Sequence, residues 1–462
     1  MKKLLKLSFF LFYYSLSVCA QNLPSNGFWL QKGYGRLIEV NDQIIRVFEV
    51  SKSSCVITDI IKAKDFLNSP YKFEDILIDT FTLSIDINKY YFKKVENNYP
   101  LCFERAKSKE NNPLYNFQSL WDTFNENYSF FEERDINWKE IGKKYKSKIS
   151  DTTAPERLYI ILRDMLEELN DGHVFVTPSL KIQRKIRPEN QINQKNDFDR
   201  HDYWKRLIGA HTKNFKSYNN GLINWGKINE DLVIIQINQM IGLSNYELSE
   251  SLFSKKGIKS FNKKASKSSN FNQDEVNGAK YIMNKIFSEI NPKSCIIDLR
   301  FNSGGFDTVA LTLLSFFSDH SKIVFTKKAR YLNGYTKPTS ISVEKSPLIS
   351  IPKVYLLTSH QTASAAEIFV LGSMNAISNI IRIGSNTEGV FSDILGKKLP
   401  NGWTYGLSNE IYQDCEGNSY ENIGIEPDYL IDYPEDEMKF YDNLIKNDEA
   451  IKKVIELESI LY

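Results

Sequence analysis

The sequence predicts a layered α/β protein carrying a small β-rich domain in front of it, on three observations. Apolar and polar residues alternate over 21–107, as in "RLIEVNDQIIRVFEV" and "DTFTLSIDI". Over 114–170 the apolar residues fall at helical spacing instead. From about 229 short apolar runs alternate with amphipathic stretches. A chain of 462 residues exceeds one ordinary core, and 42% apolar with 25% charged residues describes a globular protein.

Taken in order, residues 1–20, "MKKLLKLSFFLFYYSLSVCA", have Lys2, Lys3 and Lys6, an apolar stretch from Leu7 and small residues up to Ala20. That is the pattern of an export signal cleaved before Gln21, with lipidation of Cys19 the alternative. The apolar stretch is shorter than the ~20 residues that span a bilayer. The expectation is therefore export. Without these residues the chain has 56 basic and 57 acidic side chains, a formal charge of −1. No basic face is implied and nucleic acid is not an expected partner. No C-x-x-C occurs; Cys55 and Cys102 are placed to pair in an oxidising compartment, and Cys295 lies in an apolar run.

Residues 21–107 form the expected β-domain. Residues 108–177 form a helical subdomain on "LYNFQSLWDTFNENYSFF" and "PERLYIILRDMLEELN". Residues 178–228, polar and rich in Lys and Asn, are expected to be a linker or insertion. In 229–435 the strands are "DLVIIQINQM", "SCIIDLR", "KIVFTKK", "KVYLLTS" and "NIIRIG", with helices "GAKYIMNKIFSEIN", "DTVALTLLSFFS" and "AAEIFVLGSMNAI" between them. Residues 436–462 close the chain as one or two helices.

In such a domain the chemistry sits on loops at strand ends. Ser364, in "HQTASAAEIF", stands at a strand-to-helix turn among small residues. It suits either a helix cap or a nucleophile in the favourable field of a helix start. Gly304 and Gly305, in "IIDLRFNSGG", let backbone N–H groups face an approaching oxygen. A serine nucleophile needs a base. His173, in "LNDGHVFV", is presented by a turn of Asp171 and Gly172. His201, His211 and His320 suit solvated positions, and His360 lies on the turn leading to Ser364. The spacing of Gly389 and Gly396 is wrong for a phosphate loop, and no H-E-x-x-H occurs.

The ordered stretches "LNDGH", "IIDLRFNSGG", "TASAAEIF", "GSNTEG", "LPNG" and "YENIGIEPD" resemble the C-terminal processing (tail-specific) serine peptidases over roughly residues 115–435. The resemblance implies a ClpP/crotonase-like spiral fold with Ser364 as nucleophile and an oxyanion hole from the N–H of Ala365 and that of Gly304 or Gly305. In one branch of the family a Lys serves as base; here Val390 stands at that position. Lys397 and Lys398, beside the turn before "LPNG", suit solvated positions. The tricorn-core-like branch uses His and Glu, which implies His173 as base and Glu421 as the acid of the site. One departure is Gly172, where that branch has Ser. No stretch of 174–230 resembles a PDZ domain.

The function so implied is that of an exported serine endopeptidase acting through an acyl-enzyme on a protein or peptide substrate, with no metal or cofactor. The resemblance, to a largely bacterial family, narrows the expected location to the periplasm or surface of a bacterium. Two rivals share the scaffold: a catalytically idle relative binding peptides, lipids or glycans, and crotonase-type chemistry on CoA thioesters, which the export signal disfavours.

Overall fold

The computed structural model describes residues 23–96, 102, 109–186, 199–244, 270–346, 351, 353–434 and 436–459. The expected export signal lies outside the described residues. Among these, the first domain is an antiparallel sheet of seven strands. In spatial order they are Cys55–Lys62, Ile44–Val50, Arg36–Val40, Gly27–Gln31, Asn88–Val95, Thr80–Ile85 and Lys72–Glu74. Successive side chains point to opposite faces. Trp29 and Ile38 therefore join Phe81 and Phe92 on one face, while Phe28 and Leu37 join Phe48 and Val50 on the other. That second face is covered by Cys102, which is disulfide-bonded to Cys55 across 47 residues of sequence.

Closing a loop of that length removes chain entropy from the unfolded state worth about 4 kcal/mol. A Cys55→Ser/Cys102→Ser variant is expected to melt several degrees lower than the oxidised protein in calorimetry. Coincident melting curves would show that the bond contributes nothing.

In the helical subdomain, Pro113–Asn127, Trp138–Lys146 and Pro155–Glu167 are helices. Asn112 caps the first, accepting the Tyr115 N–H at 2.8 Å, with proline at the first helical position. Leu158, Ile161, Leu162 and Met165 make one buried stripe. That stripe shares a core with Phe124, Tyr405 and Leu407, so the subdomain is sealed by a hairpin from far along the chain. Phe175–Thr177, just after His173, pairs antiparallel with Thr404–Gly406 of that hairpin.

The expected linker 178–228 is mostly structured. Leu180–Ile186 and Arg200–His211 are helices, and Lys213–Tyr218 and Ile223–Lys227 are strands. Its polar composition misled because Lys213–Tyr218 is a largely exposed edge strand and only Tyr203, Trp204, Leu207 and Ile208 of the second helix are buried, whereas Ile223–Lys227 is an inner, mostly buried strand. The central sheet accordingly begins before residue 229. Its spatial order is Tyr429–Leu430, Ile380–Gly384, Lys353–Thr358, Ser294–Asp298, Leu232–Ile237, Ile223–Lys227 and Lys213–Tyr218. The first five run parallel and the last two antiparallel. Every residue of Leu232–Ile237 and Ser294–Asp298 is buried, as parallel strands covered on both faces require.

Lys397 is also corrected. It is buried, pairs with Glu49 and donates to the Gly35 carbonyl at 2.7 Å, fastening the first domain to the hairpin that seals the helical subdomain. The side chain leaves water because both partners are waiting for it; a buried charge without them would be costly. Lys398, by contrast, is exposed.

Candidate active site

Ser364 stands between the strand Lys353–Thr358 and the helix Ala365–Ala376, with φ 55° and ψ −126°. A left-handed backbone on a residue with a Cβ costs about 1–3 kcal/mol and persists only where its surroundings impose it. Those surroundings are explicit. Thr362 Oγ1 donates to the Leu299 carbonyl at 3.0 Å, the Ala363 N–H to the Asn302 carbonyl at 3.0 Å, and Ser359 Oγ to the Arg300 carbonyl at 2.5 Å. The Ser364 N–H donates to Glu367 Oε2 at 3.2 Å. A sharp strand-to-helix turn of this kind presents a serine Oγ outward, and Ser364 is half-buried between buried Ala363 and Ala365.

The glycine turn packs directly against it. A Cβ on Gly304 would lie 2.7 Å from Ser364 Cβ and 2.9 Å from the Ala365 nitrogen; one on Gly305 would lie 2.3 Å from the Met240 carbonyl. The Gly304 N–H is spent on Asn302 Oδ1 at 2.9 Å, and Asn302 Nδ2 in turn donates to the Ile237 carbonyl at 2.9 Å. Among the described residues the N–H groups of Gly305 and Ala365 have no partner. Beneath the turn, fully buried Arg300 binds Asp298 through two bonds of 2.9 and 2.8 Å and reaches Asp448 at 2.9 Å. That bidentate arrangement ties the turn to the junction of the closing helices Glu437–Asn447 and Glu449–Ser459.

His173 is buried, and Asp171 builds the turn that presents it. Asp171 accepts the His173 N–H at 2.9 Å and the Tyr128 hydroxyl at 2.9 Å. His173 Nδ1 lies 2.6 Å from the Ser392 carbonyl. A carbonyl only accepts, so Nδ1 carries a hydrogen, and the tautomer of the neutral ring is the one with its lone pair on Nε2. Gly172 leaves room that Glu388 uses, since a Cβ there would lie 3.0 Å from Glu388 Oε1. A cleft of about 430 Å³ opens beside this turn, lined by Arg134, Asn170, Gly172, Glu388, Val390 and Asn422.

Glu421 is buried 57 residues beyond Ser364 in sequence, and no hydrogen bond joins it to the imidazole. It accepts the N–H groups of Phe391 at 2.9 Å and Ser392 at 3.3 Å, and its other oxygen meets Arg134 at 3.2 Å. Glu421 and His173 are therefore bound to the two backbone groups of one residue, Ser392. Burial, reinforced by the charge of Asp171, pushes its carboxyl up to about 8 against the pull of Arg134 and the N–H donors.

The other expected positions separate cleanly. His360 is exposed with its ring 5.5 Å from that of Phe440. His201 and His211 are half-buried, bound to the carbonyls of Asn220 at 2.8 Å and Leu444 at 2.7 Å rather than solvated. Val390 directs its N–H, not a basic side chain, into the site. Sequence reasoning missed Arg134, Ser392 and Glu367. Only Glu367 had a local signal, standing three residues after a serine at a helix start. Among the described residues no group of three His, Cys, Asp or Glu is arranged to hold a metal.

Residues 258–431 match the model of peptidase family S41, and residues 109–167 match the tricorn protease C1 domain. Residues 258–431 are thus similar to family S41 peptidases. The carboxy-terminal processing protease CtpA of Bacillus subtilis (strain 168) is 30% identical over 143 residues, a match spanning 31% of this chain and 29% of that protein. Among solved structures, a candidate peptidase from Parabacteroides merdae ATCC 43184 superposes with a TM-score of 0.54 at 20% identity, over 75% of this chain and 96% of that one. Mature CPAF gives 0.51 at 11% identity over 75% and 98%. At those identities the likeness is one of fold, and it agrees with the mixed α/β core and the β-sheet domain ahead of it. The stretch similar to family S41 begins upstream of the strand that ends at Asp298 and runs past Glu421 to the last strand of the central sheet.

Proposed function

We propose that this chain is an exported serine endopeptidase with Ser364 as nucleophile, His173 as base and Glu421 as the acid that positions it. The observation that carries the reading is the imposed left-handed backbone of Ser364 beside two N–H groups, of Ala365 and Gly305, that have no other acceptor among the described residues. Gly304 is then the partner that shapes the turn and Gly305 the oxyanion donor. His173 Nε2 takes the Ser364 proton while Oγ bonds the peptide carbonyl carbon, and the carbonyl oxygen becomes an oxyanion held by the two N–H groups. The imidazolium returns the proton to the leaving amine as the C–N bond breaks. Water then repeats the sequence on the acyl-enzyme, releasing the acid.

The Nδ1–H to Ser392 bond supports the tautomer this needs. Labelling with a fluorophosphonate probe, with the adduct mapped to Ser364, tests the reading. A protein that folds and takes no label is the idle binding relative. Export is part of the proposal, and an intact mass beginning at Gln21 checks it; a diacylglycerol adduct on Cys19 would replace cleavage by lipidation.

Glu421→Gln should behave differently on the two sides of its own titration. Gln imitates the neutral carboxyl, so at pH 6 the variant is expected within a few-fold of wild type. At pH 9 the carboxylate is charged, and kcat should fall by about 10- to 100-fold with little change in KM, the scale of a misplaced catalytic group. A loss independent of pH would contradict this. Stability gives the same sign. The carboxyls of Glu367, pushed by burial to about 7, and Glu421, to about 8, both stand above the ordinary 4.5. Their contribution is complete below pH 4.5 and is lost as pH rises towards 8. Melting temperature should decline over that window, and less steeply in the Gln variant.

A further inference from the structure

We propose that Glu367 is a positioning residue for the hydrolysis proposed above, tying the peptide of the nucleophile to the strap 389–392 whose last carbonyl orients His173. The inference rests on that reading and adds a residue to it. The carboxylate is fully buried on the first turn of the helix Ala365–Ala376. It accepts three backbone N–H groups from two separate segments: Ser364 at 3.2 Å and Val390 at 2.8 Å on Oε2, and Gly389 at 2.7 Å on Oε1. Glu421 accepts the next two, Phe391 and Ser392. Four consecutive N–H groups of the strap are therefore held by two carboxylates, one from the Ser364 helix and one from the "YENIGIEPD" turn.

The strap is also held by the Asn422 N–H on the Gly389 carbonyl at 2.8 Å and by buried Phe391, but its four N–H groups go to the two carboxylates. It cannot shift towards the turn behind it, because a Cβ at Gly389 would already lie 2.9 Å from the nitrogens of Ile423 and Gly424. At the far end of the strap the Ser392 carbonyl holds His173 Nδ1 at 2.6 Å. Glu367 thus fixes the nucleophile's backbone and the base's orienting acceptor with one rigid group. The first turn of the helix contributes a field that favours the negative charge. Burial works against that charge and raises the carboxyl to about 7, so the carboxylate, the stronger acceptor, is the main form above neutral pH.

A carboxylate that merely capped the helix would change how much protein is folded and leave the rate of each folded site alone. Glu367→Gln separates the two roles, since its amide turns a donor towards one of the three N–H groups. At pH 8.5, with active sites counted by fluorophosphonate labelling, we expect kcat per labelled site to fall by about 10- to 100-fold with KM within about twofold. An unchanged kcat per labelled site in a wild-type protein that does label overturns the proposal alone. A wild type that takes no label overturns the hydrolase reading, and the proposal with it. Should the Gln variant not fold, Glu367→Asp keeps the charge one bond short of the strap and is expected to lose kcat in the same direction. A wild-type rate in that variant would be equally decisive against the proposal.

Discussion

Ser364→Ala is expected to abolish peptide hydrolysis and fluorophosphonate labelling, lowering kcat by roughly 10⁴-fold or more, because nothing else in the site can form the acyl bond. The variant should nevertheless fold. The backbone at 364 is held by Thr362, Ala363 and the Ser364 N–H itself, none of which uses the hydroxyl. Ala keeps the strained φ of 55°, so stability should stay within about 1–2 kcal/mol of wild type. Ser364→Gly relieves that strain and should be about 1 kcal/mol more stable than the Ala variant while equally inactive. Thermal melts and probe labelling on the three proteins check each statement. Full residual activity in the Ala variant would remove Ser364 from the mechanism.

His173→Ala should cost about 10²- to 10⁴-fold in kcat/KM, the range for loss of a general base. His360→Ala should leave the rate within about threefold. His360 is nearer to Ser364 in sequence, but its ring is turned onto Phe440 of the closing helix. His173, 191 residues before Ser364, is carried in by the pairing of Phe175–Thr177 with Thr404–Gly406 and held by the Ser392 carbonyl. Loss through His360 with His173 dispensable would move the base to the other side of Ser364.

The local elements were legible because local physics sets them. The apolar runs "DLVIIQI" and "SCIID" are strands since nothing but a covered parallel sheet buries such runs, and the stripe Leu158–Ile161–Leu162–Met165 is helical by spacing. Ser364 and the Gly304–Gly305 turn were placed at strand ends by local pattern, but that pattern also suits a helix cap and an ordinary turn, and the family resemblance singled them out. Residues 178–228 were misjudged because Arg200–His211 buries only one stripe and the edge strand Lys213–Tyr218 buries little, which left the short inner strand Ile223–Lys227 without neighbours that looked structured.

By itself, then, the sequence determined the elements, their order and the chemical types available: one hydroxyl at a helix start, one histidine on a built turn, one acid late in the chain. Only the tertiary structure decided how they are connected. Glu421 and His173 meet the N–H and the carbonyl of one residue, Ser392, Gly304 spends its N–H on Asn302 while among the described residues that of Gly305 has no partner, and Lys397 is buried against Glu49. Each of these is a choice among several possible partners for a hydrogen-bonding group. Spacing along a chain cannot make that choice, because which donors remain free depends on which buried acceptors fold up beside them.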